Sequence, residues 1–284
     1  MSMNSIIIKV DVDTFNGLEN GVPKLIKVFD EFNIKATFYV TLGPDNSGKA
    51  IVNLLKPSFL KKMLKTKATS SYGFKTALYG TILKPPILAW LKDNLLKIQS
   101  MGHEVEFHAY DHRLWQDKIY NLSYTDIKDW FEKGISAYFS IYKKYPKSFG
   151  APGWVCSQKA LNYIKGLKFI KFLSLSRADT PFIEETTQLV EIPSNLPCLE
   201  ENPKDFTDVA DKAINKTKNG VLPVHAEIEG GPFIDKFIKL LNLIKSNTNF
   251  LTMNEYFLEL DKKNLNVRKF ESKILPGRAF SCLV

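Results

Sequence analysis

Histidine is rare in this chain, with four residues among 284, and cysteine is rarer still, at Cys156, Cys198 and Cys282. Three widely spaced cysteines with no CxxC pair argue against a disulfide framework and fit a reducing compartment. No run of sequence approaches the ~18 apolar residues of a membrane span. The opening residues, MSMNSIIIKVDVD, lack the basic region, the long apolar region and the cleavage site of a secretory signal. Internal repeats, low-complexity segments and evident linkers are missing as well. These absences predict a cytoplasmic protein with no transmembrane helix or signal peptide, organised as one domain.

Negative charge is also in deficit, since 39 Lys and Arg face 30 Asp and Glu for a net charge of +9. Such an excess suits a polyanionic partner: nucleic acid, an anionic membrane surface or a phosphorylated substrate. A solvated, lysine-rich surface accounts for the number equally well. The deficit is greatest over residues 46–92, which hold nine lysines and no Asp or Glu. Tyr72, Phe74, Tyr79, Leu83, Ile87 and Trp90 are interleaved there. A fully solvated loop has little reason to carry so many apolar groups, so the segment is expected to be a basic, apolar, partly helical insertion.

Around it, strand patterns alternate with helix patterns. SIIIKVDV (5–12) is β-branched and apolar until it reaches its acids, as a buried strand ending in polar chemistry would be. In the next segment Val22, Leu25, Ile26, Phe29 and Phe32 share one helical face, and KATFYVTL (35–42) is a second strand. SYTDIKDWFEKGISAYFSIYKKY (123–145) opens on an N-cap serine and continues as an amphipathic helix. The alternation continues through GVLPVHAEIEG and FIDKFIKLLNLIKS. It predicts an α/β, barrel-like fold over residues 1–260, with a basic tail, 261–284, on or beside it.

Three of the four histidines, His103, His108 and His112, fall within GHEVEFHAYDH (102–112). His108 and His112 are four apart. On a helical turn that spacing places both rings on one face, a common start for a metal site, although an isolated HxxxH is a weak signal. The pair follows a strand end, where α/β folds place their active sites. Asp11 and Asp13 end the first strand, where apolar surroundings make their charge costly unless it is paired or bound to metal. A solvated strand terminus with a turn-forming Asp is the plainer alternative. His225 ends another apolar strand, followed by Glu227 and Glu229. Its imidazole suits general acid work, and a core histidine bonded to a carbonyl is the alternative. GPDNSGKA (43–50) nearly fits a P-loop but has Ala50 where a hydroxyl must bind Mg²⁺, so its glycines are expected to shape a turn. His103 is expected to be structural.

In this order, DVDT, HEVEFHAYDH, FGAPGW and VHAEIEG resemble the motifs of the polysaccharide deacetylase (NodB-homology) superfamily. Within it the chain resembles the bacterial branch that removes N-acyl groups from undecaprenyl-phosphate-linked amino sugars, namely formyl from 4-deoxy-4-formamido-L-arabinose or acetyl from N-acetylgalactosamine. The likeness continues through SSYGF and the tail LPGRAFSC and spans nearly the whole chain. It implies a distorted (β/α)₇ barrel. It implies one divalent metal on Asp13, His108 and His112: Zn²⁺, with Mn²⁺, Co²⁺ or Ni²⁺ as alternatives. Asp11 would be the general base toward the attacking water, and His225 the general acid toward the leaving amine. The implied partners are the undecaprenyl-phosphate amino-sugar lipid and the anionic cytoplasmic face of the inner membrane, in lipid A modification, and not nucleic acid. Tyr72, Phe74, Trp90 and Trp154 are the expected substrate or lipid contacts.

One departure stands out. The resemblance implies an arginine in the third motif that orients the base carboxylate, and its two alternative positions here are Gly150 and Val155. Arg177 is expected to substitute, Asp179 to hold His225 and Glu227 to support them; a surface turn at 177–179 is the alternative. The altered motif favours an N-acetylhexosamine over the formamido sugar. A different class of function is a basic membrane- or polyanion-binding module with a non-catalytic metal site. Such a module has no need of Asp11, Asp13, His108, His112 and His225 together.

Overall fold

The computed structural model describes residues 4–49, 76–199, 201–202 and 204–284. Tyr72 and Phe74, and most of the basic insertion with them, lie outside the described residues. The strands are β1 (Asn4–Val12), β2 (Thr37–Thr41), β3 (Glu104–Ala109), β4 (Ser148–Gly150), β5 (Phe172–Ser174), β6 (Phe182–Glu184), β7 (Val190–Glu191), β8 (Asn219–His225), β9 (Thr248–Leu251) and β10 (Val267–Arg268). They form one curled sheet in the order β10-β6-β7-β5-β4-β3-β2-β1-β8, with β9 also on β1. The eight α-helices of the described residues are α1 (Val22–Glu31), α2 (Lys92–Ser100), α3 (His112–Lys118), α4 (Tyr124–Tyr142), α5 (Gln158–Ile164), α6 (Phe206–Lys216), α7 (Ile234–Ile244) and α8 (Met253–Glu259). The architecture is α/β and barrel-like, as the alternation of strand and helix patterns predicts.

β1 organises the sheet. β8 pairs along one of its edges, from Ser5↔Asn219 to Asp11↔His225. Its other edge is shared, with β9 against Asn4–Ile7 and β2 against Lys9–Val12. With both edges paired, every residue from Ile6 to Val12 is buried. The two-residue period then separates the side chains. Ile6, Ile8, Val10 and Val12 join the large core shared with Leu25, Phe29 and Phe237 of the helices. Ile7 joins a second apolar cluster with Tyr39, Phe172, Val190, Ile192, Val221 and Leu251, all borne on strands or just past them. Lys9, Asp11 and Asp13 follow Ile7 on that inward side.

The residues after β7 draw the sheet round. Leu196 N–H donates to the Val221 carbonyl at 3.1 Å, and Val221 N–H donates to Asn195 Oδ1 at 2.8 Å. The outer edge of β8 is therefore partly covered, which also suits Pro223 in that strand, because proline has no N–H to give a further neighbour.

Helix α4 starts as its sequence predicts, with Ser123 and Asp126 forming a capping box, and stops at Lys143, whose φ of 56° is left-handed. Two elements differ from expectation. The short strand β6 was not legible, and it runs antiparallel to β7. The tail is less irregular than predicted: β11 (Ser272–Lys273) pairs with β12 (Cys282–Leu283), and the Leu283 carbonyl accepts from Arg177 N–H at 2.8 Å.

Candidate active site

The carboxyl ends of β1, β3 and β8 converge. Asp13, just past β1, lies with Oδ1 3.1 Å from His108 Nε2 and Oδ2 3.2 Å from His112 Nε2. These three residues form a group that could hold a metal ion. The reason for their convergence differs from the sequence argument. His108 and His112 do not share a helical turn, because His108 lies within β3 and His112 is the first residue of α3. The chain reverses between them at Asp111, whose Oδ1 caps the helix by accepting Leu114 N–H at 2.9 Å. The two rings end with centroids 5.3 Å apart.

Protonation follows from neighbours. His108 Nδ1 lies 2.8 Å from the Gly150 carbonyl, which can only accept, so Nδ1 carries the proton. In the neutral ring Nε2 is then an acceptor facing Asp13 Oδ1, itself a buried atom with no hydrogen-bond partner among the described residues. Two acceptors at this separation call for a cation between them, and two imidazoles with a carboxylate are a donor set that divalent zinc accepts. With no cation between them, protonated His112 and His108 rings would take its place and hold the Asp13 carboxyl well below the usual carboxylate range, against the raising effect of burial.

Asp11 and His225 sit opposite one another in the β1–β8 register, so their side chains leave the sheet on the same face. His225 is buried; its Nδ1 lies 3.9 Å from Cys198 Sγ and its backbone N–H donates to Glu229 Oε2 at 2.7 Å. Asp11 is held by a residue that the sequence reading missed. Lys9 Nζ donates to both carboxylate oxygens, at 2.5 and 2.6 Å. A lysine amid Ile and Val was the available signal, since a buried strand tolerates an ammonium only beside a partner.

The expected stand-in for the motif arginine is placed elsewhere. Arg177 pairs with Glu201 at 2.6 and 3.1 Å and donates to the carbonyls of Ser194 and Leu196 at 2.6 and 2.9 Å. Its donors are spent on the segment after β7, and Lys9 occupies the position beside Asp11. Asp179 is exposed, and its carbonyl accepts from Asn195 Nδ2 at 2.9 Å. Glu227 is buried against the turn after β1, where a Cβ on Gly17 would come within 2.4 Å of its Oε2. Trp154 is buried, with the guanidinium carbons of Arg177 and Arg278 5.0 and 4.7 Å from its ring and the His225 ring 6.0 Å away. Trp90 is exposed.

The P-loop look-alike braces the site. Asp45 Oδ2 accepts Phe15 N–H at 2.8 Å, and Asn46 Nδ2 donates to Asp111 Oδ2 at 2.7 Å. One turn thereby ties the segment after Asp13 to the cap before His112. His103 lies apart from it, its ring against Phe29 and Phe38 and its Nδ1 accepting Ala36 N–H at 3.2 Å. Burial, with help from Lys35, lowers its pKa to about 4, so it stays neutral.

Known proteins resemble this chain in sequence and fold. A family model described as polysaccharide deacetylase matches residues 4–170. A probable 4-deoxy-4-formamido-L-arabinose-phosphoundecaprenol deformylase, ArnD, of Shewanella sediminis is 32% identical over 263 residues, 89% of this chain and 86% of the relative. The protein of the same name from Wigglesworthia glossinidia brevipalpis is 30% identical, over 92% of this chain and 96% of its own length. Among solved structures, a putative polysaccharide deacetylase from Mycobacterium smegmatis superposes with a TM-score of 0.66 at 15% identity, covering 96% of both chains. PuuE allantoinase superposes at 0.62 with 11% identity, over 88% of both. At these identities the superpositions speak for the fold alone.

Proposed function

The chain belongs to the polysaccharide deacetylase family, and from that premise we propose that it is a metal-dependent deformylase of 4-formamido-L-arabinose carried on undecaprenyl phosphate. Its reaction class is hydrolysis of an amide bond in a carbohydrate N-deacylation. The observation that carries the finer reading is the convergence of Asp13, His108 and His112 beside an Asp11–His225 pair in register.

Asp13, His108 and His112 would hold the divalent ion, which lowers the pKa of water from ~15.7 toward ~7 and polarises an acyl carbonyl. Asp11 removes a proton from the attacking water. His225, on the neighbouring strand, gives a proton to the departing sugar nitrogen, so the C–N bond breaks with the nitrogen leaving as an amine and formate as the other product. Burial keeps Asp11 and His225 apart from bulk solvent. Glu227 supports the turn beneath Asp13, and Trp154, with Arg177 and Arg278 against its ring, walls the side next to His225. The product amine, transferred onward to lipid A, lowers the negative charge of that lipid.

The names of both relatives favour the formamido sugar over the N-acetylhexosamine that the altered third motif favoured. An approach to an anionic membrane surface is supported by the exposed Ile82, Leu83 and Trp90, with Lys84 among them. Lysines near such a surface each contribute on the order of 1 kcal/mol. No helix of the described residues is long and apolar enough to cross a membrane.

The test is single-turnover hydrolysis by zinc-loaded protein of the formamido-arabinose lipid and the N-acetylgalactosamine lipid in parallel, with Asp11→Asn as control. Release of formate by the wild type and not by the variant supports the proposal. Release of acetate alone moves the assignment to the N-acetylhexosamine. Reaction with neither lipid overturns it.

A further inference from the structure

Lys9 is wholly buried, at 0% exposure, in the middle of a strand with partners on both edges. An ammonium in such a place is costly unless an opposite charge and hydrogen bonds compensate it. Its compensation is Asp11, two residues along the same strand and on the same face, with both carboxylate oxygens bonded. The aromatic rings of Tyr39 and Trp154 lie 4.8 and 5.8 Å from Nζ and close around the ammonium. The pair is thus set by strand geometry, and no loop has to move to form it.

Neither motif position supplies this cation, since Gly150 and Val155 carry no charge. A Cβ on Gly150 would lie 2.7 Å from Tyr39 Cδ1, and the Tyr39 hydroxyl is fixed by Ser148 Oγ at 2.7 Å. Val155 is buried and apolar, with its carbonyl accepting from Trp115 Nε1 at 2.8 Å. Tyr39 fills the space beside Gly150, and Lys9 reaches Asp11 from below instead.

We propose that Lys9 is the positioning residue for the base: its ammonium, delivered from the same strand, fixes the Asp11 carboxylate so that each oxygen keeps one lone pair for the attacking water. The inference rests on the reading of Asp11 as base. It predicts a defect chiefly in turnover, because the hydrogen bonds of Lys9 go to Asp11 and not to Asp13, His108 or His112, the residues that would hold the ion.

The experiment compares Lys9→Met, which keeps the length of the side chain, with Lys9→Arg, Asp11→Asn and the double variant Lys9→Met/Asp11→Asn, on the lipid that the wild type hydrolyses. The expected result for Lys9→Met is a kcat lower by about 100-fold or more, with KM within about threefold and zinc stoichiometry unchanged. Lys9→Arg recovers about tenfold or more of that loss, because a guanidinium also donates to both oxygens. In the Asp11→Asn background, Lys9→Met changes kcat by no more than about twofold. The charge-matched double variant separates loss of position from loss of fold. A Lys9→Met enzyme within about fivefold of the wild type, or a loss that multiplies fully with Asp11→Asn, overturns the role of Lys9 while leaving the hydrolase reading intact. A wild type inactive on both lipids overturns the reading and this inference together.

Discussion

The lower and upper halves of the barrel interior obey different rules, although one face of β1 lines both. Below, Ile7 packs with Phe172, Val190, Val221, Leu251 and Met253 in an uncharged cluster that also holds Tyr39 and Tyr256. Above, the same face presents Lys9, Asp11 and Asp13, joined by His108 and His225 from β3 and β8. Apolar residues would fill the upper half at less cost, since buried ions are often no more stable than well-packed hydrophobic replacements. The contrast teaches that the lower half holds the sheet closed and the upper half is kept charged for its chemistry.

The comparison breaks most visibly at its upper end. His225→Gln should lower kcat by roughly 10²–10⁴-fold, the usual contribution of a positioned acid, while the protein still unfolds cooperatively; steady-state kinetics with a thermal melt measure both. At the lower end Ile7→Ala should cost about 2–5 kcal/mol of stability, as other large-to-small core changes do. Its kcat per folded molecule should match the wild type, so a turnover defect there would erase the division. His103→Leu should sharpen the point that not every histidine near the motif is chemical. Leaving Ala36 N–H without its acceptor costs about 1–3 kcal/mol, and activity should stay unchanged.

The smallest effect concerns Glu191, buried in β7 opposite Leu173 of β5. Burial pushes its carboxyl up to about 7 from 4.5, against hydrogen bonds from Ser176 and Leu175 and the pull of Lys9. The folded state therefore binds more protons than the unfolded state between those values. The contribution to stability is complete below pH 4.5 and is lost as pH rises through about 7. Glu191→Gln should flatten the dependence of the melting temperature on pH across that window; an unchanged slope would remove Glu191 from the account.

Much of this was legible in the sequence because each key residue ends an apolar run. Asp13 closes IIIKVDVD, His108 closes EVEFH and His225 closes GVLPVH, and a strand end is a directional signal that survives without coordinates. What the sequence does not carry is pairing. The spacing of His108 and His112 suggested a helical turn, whereas a strand, a tight reversal and a helix start bring the rings together. The partner of Arg177, Glu201, lies twenty-four residues away and nothing in the pattern links them. Lys9 reads as an ordinary polar interruption until both edges of β1 are known to be covered. β6 has only three residues, too few for alternation to register.

The most direct measurement of the central claim is calorimetric titration of metal-stripped protein with Zn²⁺, for the wild type and for His108→Ala. The account predicts one ion per chain for the wild type and none held by the variant under the same conditions. A wild type that takes up no stoichiometric ion, or a variant that binds it equally well, would contradict a metal centre built from Asp13, His108 and His112.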